Sequence, residues 1–220
     1  MSLLVDGFKE AIELLISGND SVYSAIIVTI TVSSWSILIS LILGLPLGFL
    51  LGYYQFKGKT VIKTIVDTFL AFPTVVIGLL VYTTLSQAGA FGEYNLLFTQ
   101  KAIIIGQIFL GLPIIIALTA AQVESTDKRL YLSLKGLGAK PYQILLTTLV
   151  EARFGLMTAA MTAYGRIITE IGISMMVGGN IKYHTRTITT AISLETGKGE
   201  FETGIALGLE RLYMALRKIN

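Results

Sequence analysis

Arg166 and Glu170 stand one helical turn apart in a stretch, Phe154 to Val177, that carries no other charge. On a helix two such residues share a face. A guanidinium there can meet an anion, and a carboxylate can hold that guanidinium in place. At the centre of a bilayer each charge costs about 2.5–3.5 kcal/mol on insertion scales. Both are therefore expected to face each other, a partner helix or a wet cavity, and in any case the protein interior. Two readings stay open: side chains lining a path, and a structural ion pair that locks helices together.

The second chemistry-bearing element is basic. Within residues 124–143, Lys128, Arg129, Lys135 and Lys140 give one side of a short helix, and Leu130, Leu132, Leu134 and Leu137 give an apolar side. Gly136 and Gly138 can end that helix, and Pro141 can begin the next at its first position. Such an element can pass a rigid-body push from a soluble partner, or it can rest on anionic lipid. Local physics does not divide the two.

Other chemistry is excluded by what is missing. The chain has no cysteine and a single histidine, His184. Disulfides and thiolate metal sites are ruled out, and neither a histidine-based metal centre nor a Ser-His-Asp triad is expected. No Gly-x-x-x-x-Gly-Lys-Ser/Thr occurs, so energy for any pumping must come from another chain. Met175-Met176, at a helix end, reads as packing or a gate wall rather than a metal site.

The elements that position these residues are membrane helices. Of 220 residues, 53% are hydrophobic and 14% charged, with a mean hydropathy of +0.73, against roughly 25% charged in soluble domains. The apolar runs are continuous and do not alternate, which favours helices over barrel strands. The pattern predicts a polytopic all-α bundle of about five spans, near residues 23–54, 64–85, 101–121, 144–177 and 203–217, in a domain covering 21–220. No charge occurs between Asp20 and Lys57. Within that run Gly44, Gly48 and Gly52 form a small-xxx-small ladder suited to close helix packing. Pro73 predicts a kink in the second span, and Pro113 falls inside the third. Glu210 and Arg211 interrupt the last. Residues 1–20 pair Leu3, Leu4, Phe8, Ile12, Leu15 and Ile16 at helical spacing and are predicted to lie as an interfacial amphipathic helix. With Asp6, Glu10, Glu13 and Asp20 against Lys9 alone, they do not resemble a cleavable signal peptide.

Lys57, Lys59 and Lys63, then Lys128, Arg129, Lys135 and Lys140, then Arg217 and Lys218 fall on one side of this arrangement. That side is predicted to be cytoplasmic, with the N-terminus outside and the C-terminus inside. The net charge of +3 reflects charge placed at membrane borders, not a nucleic-acid surface.

The stretch from Lys135-Gly-Leu-Gly-Ala-Lys-Pro-Tyr-Gln-Ile-Leu to Glu151-Ala-Arg153 resembles the cytoplasmic coupling loop of ABC importer permeases. Gly138 takes the place of that loop's glycine. Leu132-Ser133-Leu134 stands where the family writes Glu-Ala-Ala, and Val150-Glu151 where it writes Leu-Pro. Gly165-Arg-Ile-Ile-Thr-Glu-Ile-Gly-Ile-Ser-Met-Met-Val-Gly-Gly-Asn-Ile181 and Thr185-Arg-Thr-Ile-Thr-Thr-Ala-Ile192 are similar to oxyanion permeases of the molybdate, sulfate and tungstate branch, most of all the tungstate type.

This resemblance implies a type I importer permease working as a homodimer in the plasma (inner) membrane of a prokaryote. It implies coupling through Lys128, Arg129, Leu132, Leu134, Lys135, Gly138, Ala139 and Lys140 to a separate ATPase that holds ATP and Mg, this chain carrying no cofactor. It implies a path or gate at Arg166, Glu170, Met175, Met176 and Asn180, and an extracytoplasmic protein that supplies the oxyanion. Arg166, Lys182, Arg186, Asn180 and the hydroxyls of Thr185, Thr187, Thr189 and Thr190 are available to such an ion. The rival readings are a permease for molybdate, sulfate or a small solute, and an ATP-independent channel or scaffold subunit.

Overall fold

The computed structural model describes residues 20–125 and 133–199, among which every regular element is helical. The predicted interfacial helix (all but Asp20), the last predicted span at 203–217, and Lys128, Arg129 and Leu132 lie outside the described residues.

Helix α1 runs Asp20–Tyr53 and continues through Pro46. Its 34 residues reach about 51 Å at ~1.5 Å per residue. Helices α2 (Lys59–Ala71) and α3 (Thr74–Leu85) follow. After a short 3-10 turn at Gly92–Tyr94 come α4 (Gln100–Ser125), α5 (Pro141–Ile168), α6 (Gly172–Gly178) and α7 (Ile188–Gly197). Helices α1, α4 and α5 are each long and apolar enough to cross a membrane, and the α2–α3 pair is a fourth crossing if it counts as one span.

Two predicted spans are not single helices. The 64–85 span is α2 and α3 bent by 98°, a break rather than a kink. Pro73 has no N–H to continue the ladder, and Phe72 before it is extended, with ψ 132°. The 144–177 span stops at Ile168 and resumes at Gly172.

The chain divides into two compact units. Of the described residues, the first takes 20–35, 73–107 and 168–199. Here α6 lies against α3 and α4 through glycines. The fully buried Ile173 sits where a Cβ on Gly78 would lie 3.2 Å from its Cα, and where a Cβ on Gly106 would run into its Cγ2. Val22, Ala25 and Ile26 of α1 form a buried apolar cluster with Ile188 and Ala191 of α7, and the half-buried Ile192 packs against it.

The second unit takes Ser36–Phe72 and Ile108–Ile167. In it the glycine ladder of α1 lies on α4. A Cβ on Gly44 would be 2.8 Å from Ile115 Cγ2, one on Gly48 would be 2.7 Å from the Ile116 carbonyl oxygen, and one on Gly52 would be 2.7 Å from the Ala120 carbonyl oxygen. The contacts advance along both helices in the same direction, so the two run parallel here.

Gly48→Leu should destabilise the chain by about 1–3 kcal/mol, because the backbone carbonyl it meets cannot move aside. Gly58→Ala is strained for a different reason. Gly58 has φ 94° with open space around it, so the loss should be about 1–2 kcal/mol, all from the left-handed backbone. Unfolding midpoints of the detergent-purified variants check both.

Candidate functional site

The sequence reading places Arg166 and Glu170 on one helix face, and the structure does not. α5 ends at Ile168 with Arg166 in its last turn, where a cation complements the helix dipole. Glu170 lies in the break before α6. Its side chain turns toward α6, and Oε1 accepts the Ile173 N–H at 3.2 Å. Its carbonyl oxygen accepts the Thr189 hydroxyl at 3.1 Å. With these groups engaged away from the α5 ladder, the helix has no continuation. Glu170 is buried, 3% exposed. Arg166 is exposed on this single chain.

Beyond the break the polar side chains knit backbone ends together. Phe98 N–H donates to the Val177 carbonyl at 2.8 Å. The Thr185 hydroxyl donates to the Gly178 carbonyl at 2.5 Å, and its oxygen accepts from Ile181 N–H at 3.0 Å. Gly179 and Asn180 take left-handed backbone, φ 69° and 51°, which turns the chain out of α6. Thr187 caps α7 in a reciprocal box with Thr190: Thr187 Oγ1 accepts from Thr190 N–H, and Thr190 Oγ1 accepts from Thr187 N–H at 2.9 Å. Thr190 Oγ1 also donates to Asn180 Oδ1 at 3.0 Å, and Asn180 Nδ2 donates to the Thr190 carbonyl at 3.3 Å. The first N–H of α7, on Ile188, donates to Thr29 Oγ1 at 2.9 Å.

This corrects the reading of the hydroxyls as anion donors. A threonine hydroxyl has one proton. Those of Thr185 and Thr189 go to backbone carbonyls, that of Thr190 has Asn180 Oδ1 and the Thr187 carbonyl within reach, and Thr187 Oγ1 lies 3.0 Å from Thr189 Oγ1. All four residues are buried. Arg186 differs: its Nε is buried and has no hydrogen-bond partner among the described residues. Met175 and Met176 are half-buried, and Met176 Sδ would lie 3.2 Å from a Cβ on Gly78, so Met176 packs on α3. Thr29 went unnoticed in the sequence. Nothing local marks a threonine that serves a helix start 159 residues away.

The basic segment is described from residue 133. Residues 133–136 are helical. The helix ends in a Schellman motif: Ala139 N–H donates to the Leu134 carbonyl at 3.0 Å, Gly138 N–H to the Lys135 carbonyl at 3.1 Å, and Gly138 has φ 76°. Two residues on, Lys140 N–H donates to Gln143 Oε1 at 2.7 Å, and Pro141 opens α5. The two helix ends thus fix a rigid corner at residues 138–141. Leu134 and Ala139 are half-buried, while Lys135, Gly138 and Lys140 are exposed. Leu137 is 84% exposed, more than any other large apolar side chain among the described residues.

Two comparisons with known proteins bear on this arrangement. Residues 44–207 match the family described as the binding-protein-dependent transport system inner membrane component. The chain is 51% identical over 215 residues to the tungstate uptake system permease protein of Campylobacter jejuni, covering 98% of this chain and 90% of that one. It is 34% identical over 215 residues to the tungstate uptake system permease protein of Peptoclostridium acidaminophilum, covering 98% and 94%. It is 26% identical over 191 residues to the molybdenum transport system permease protein of Escherichia coli K12, covering 82% and 83%.

Thr189→Val should destabilise the fold by about 1–3 kcal/mol by removing the buried hydrogen bond to the Glu170 carbonyl, and Thr185→Val should do the same at the Gly178 carbonyl. Thr189→Ser keeps the proton and should lose much less. Glu170→Gln keeps an acceptor for Ile173 N–H and should be milder than Glu170→Leu. Unfolding midpoints across the series check the ranking.

Proposed function

Because the chain belongs to the family of binding-protein-dependent transport system inner membrane components, we propose that it is the permease of an ATP-driven importer whose cargo is a tetrahedral oxyanion, tungstate by preference. It is a multi-pass membrane protein and a transporter subunit, not an enzyme. The observation that carries the tungstate assignment is the 51% identity, across nearly the whole chain, to a tungstate uptake permease.

In this reading two copies form one pathway, with the basic corner on the cytoplasmic side and the N-terminus outside. Each copy seats the segment around Leu137 and Gly138 in a separate ATPase, which holds ATP and Mg. The Schellman end and the proline start support that role, since a corner with fixed ends passes a push without bending. The exposed Leu137 supports it too, as an apolar side chain suited to a socket on a partner. Nucleotide binding draws the ATPases together, and the membrane helices switch between two discrete arrangements. An extracytoplasmic binding protein delivers the ion. Arg186, with its unmatched buried Nε, is the donor we assign to the passing oxyanion.

Reconstitution of the chain with its ATPase and binding protein tests this. ATP hydrolysis should rise with tungstate and less with sulfate, and labelled ion should enter vesicles only with ATP. Gly138→Trp should abolish the ion-stimulated hydrolysis while the chain still inserts, because a bulky side chain at φ 76° strains and obstructs the corner proposed to seat in the ATPase. Ion conduction by the purified chain alone would sink the reading.

A further inference from the structure

We propose that Lys59, Lys63 and Glu124 form a clamp that holds the base of the coupling segment, with Glu124 as a positioning residue for energy coupling. The inference rests on the reading of this chain as an ATP-coupled permease.

The geometry involves three helix ends within one compact unit. Glu124 lies in the last turn of α4, at the first residue of the 124–143 segment. Lys59 and Lys63 stand one turn apart at the start of α2. Lys59 Nζ meets Glu124 Oε1 at 2.9 Å, and Lys63 Nζ meets Oε2 at 2.6 Å. Each carboxylate oxygen is thus held by its own lysine. Lys59 Nζ also donates to the Gly52 carbonyl at 3.2 Å, in the last turn of α1. That carbonyl is one of those a helix end leaves without an internal partner.

Burial decides whether such a cluster matters. Exposed ion pairs contribute little. Lys59, however, is only 8% exposed, and a buried charge that loses its partner is left uncompensated. Gly52 also lies where a Cβ would meet the Ala120 carbonyl and Val123, so α1 and α4 are in contact beside the clamp. A displacement entering through the coupling segment therefore meets the ends of α1, α2 and α4 as one body.

A merely structural cluster would lower stability, and transport and hydrolysis would fall in step. A positioning cluster lowers the ions moved per ATP. The chain reconstituted with its ATPase and binding protein in vesicles separates them. Glu124→Gln keeps the shape and removes the charge. It should assemble, hydrolyse ATP, and move at least about fivefold fewer ions per ATP, the lower end of typical coupling between sites. Lys63→Arg should retain the wild-type ratio. If Glu124→Gln does not assemble, Lys63→Met, which leaves the Lys59 contact, should show the same loss of ratio at smaller size. A wild-type ratio in Glu124→Gln or, failing assembly, in Lys63→Met overturns the clamp, as does a fall of transport in strict proportion to hydrolysis. Wild-type vesicles with no ion-stimulated hydrolysis would instead overturn the permease reading, and the clamp with it.

Discussion

An apolar membrane interior offers no water to backbone N–H and C=O groups, so a helix that breaks there must have its freed groups met by protein. The region from Thr169 to Thr190 is arranged around that requirement. Glu170 closes the start of α6 with its carboxylate, and Thr189 takes up the carbonyl of the same residue. At the other end of α6, Thr185 and Phe98 meet the carbonyls of Gly178 and Val177. Thr187, Thr190 and Thr29 do the same for the start of α7. The threonine side chains are short, so each hydroxyl reaches only its own neighbourhood. These bonds meet backbone groups that the break and the end of α6 would otherwise leave open, while Asn180 stands at a turn.

Close approach is the second requirement, and glycine meets it. Ile173 can be fully buried because Gly78 and Gly106 leave room for it on two sides. The same device recurs where Gly44, Gly48 and Gly52 bring α1 onto α4. Lipid tails are as apolar as a leucine side chain, so burial alone gives helices little reason to associate. Contact between backbones, with many small dispersion gains, takes its place. That is why these glycines cannot be exchanged for alanine as they could be in a soluble helix.

The sequence made some of this legible. A run without charge from Asp20 to Lys57 reads as a membrane helix, and glycines four apart must share a face. Gly138 and Pro141 mark a helix end and a helix start by their own backbone preferences. The break at 169–171 was not legible. Thr169-Glu-Ile-Gly172 contains no proline, and its apolar period runs on without a gap. The break exists because Glu170 and a threonine 19 residues away satisfy the backbone elsewhere. Pro73 was legible as a disturbance but not as a 98° bend. Lys59 read as a loop charge. Its burial depends on Glu124, distant in sequence, although two lysines one turn apart and a lone acid ending an apolar run are a pattern that points to such a pairing.

The fate of the threonines also bears on affinity. A polar cluster beside a helix break looks, in sequence, like a cage for an oxyanion. In the structure the hydroxyl protons of Thr185, Thr189 and Thr190 have protein acceptors, and releasing them to an ion would reopen the backbone groups they close. In the proposed permease the donor left for cargo is the Arg186 Nε, which has no hydrogen-bond partner among the described residues. A path so furnished would, on that reading, hold an anion weakly and let it leave, which is what conduction through a site requires. On the proposed reading, tight capture and discrimination between similar oxyanions fall to the separate binding protein, and this chain's part is to open and close in step with a partner ATPase.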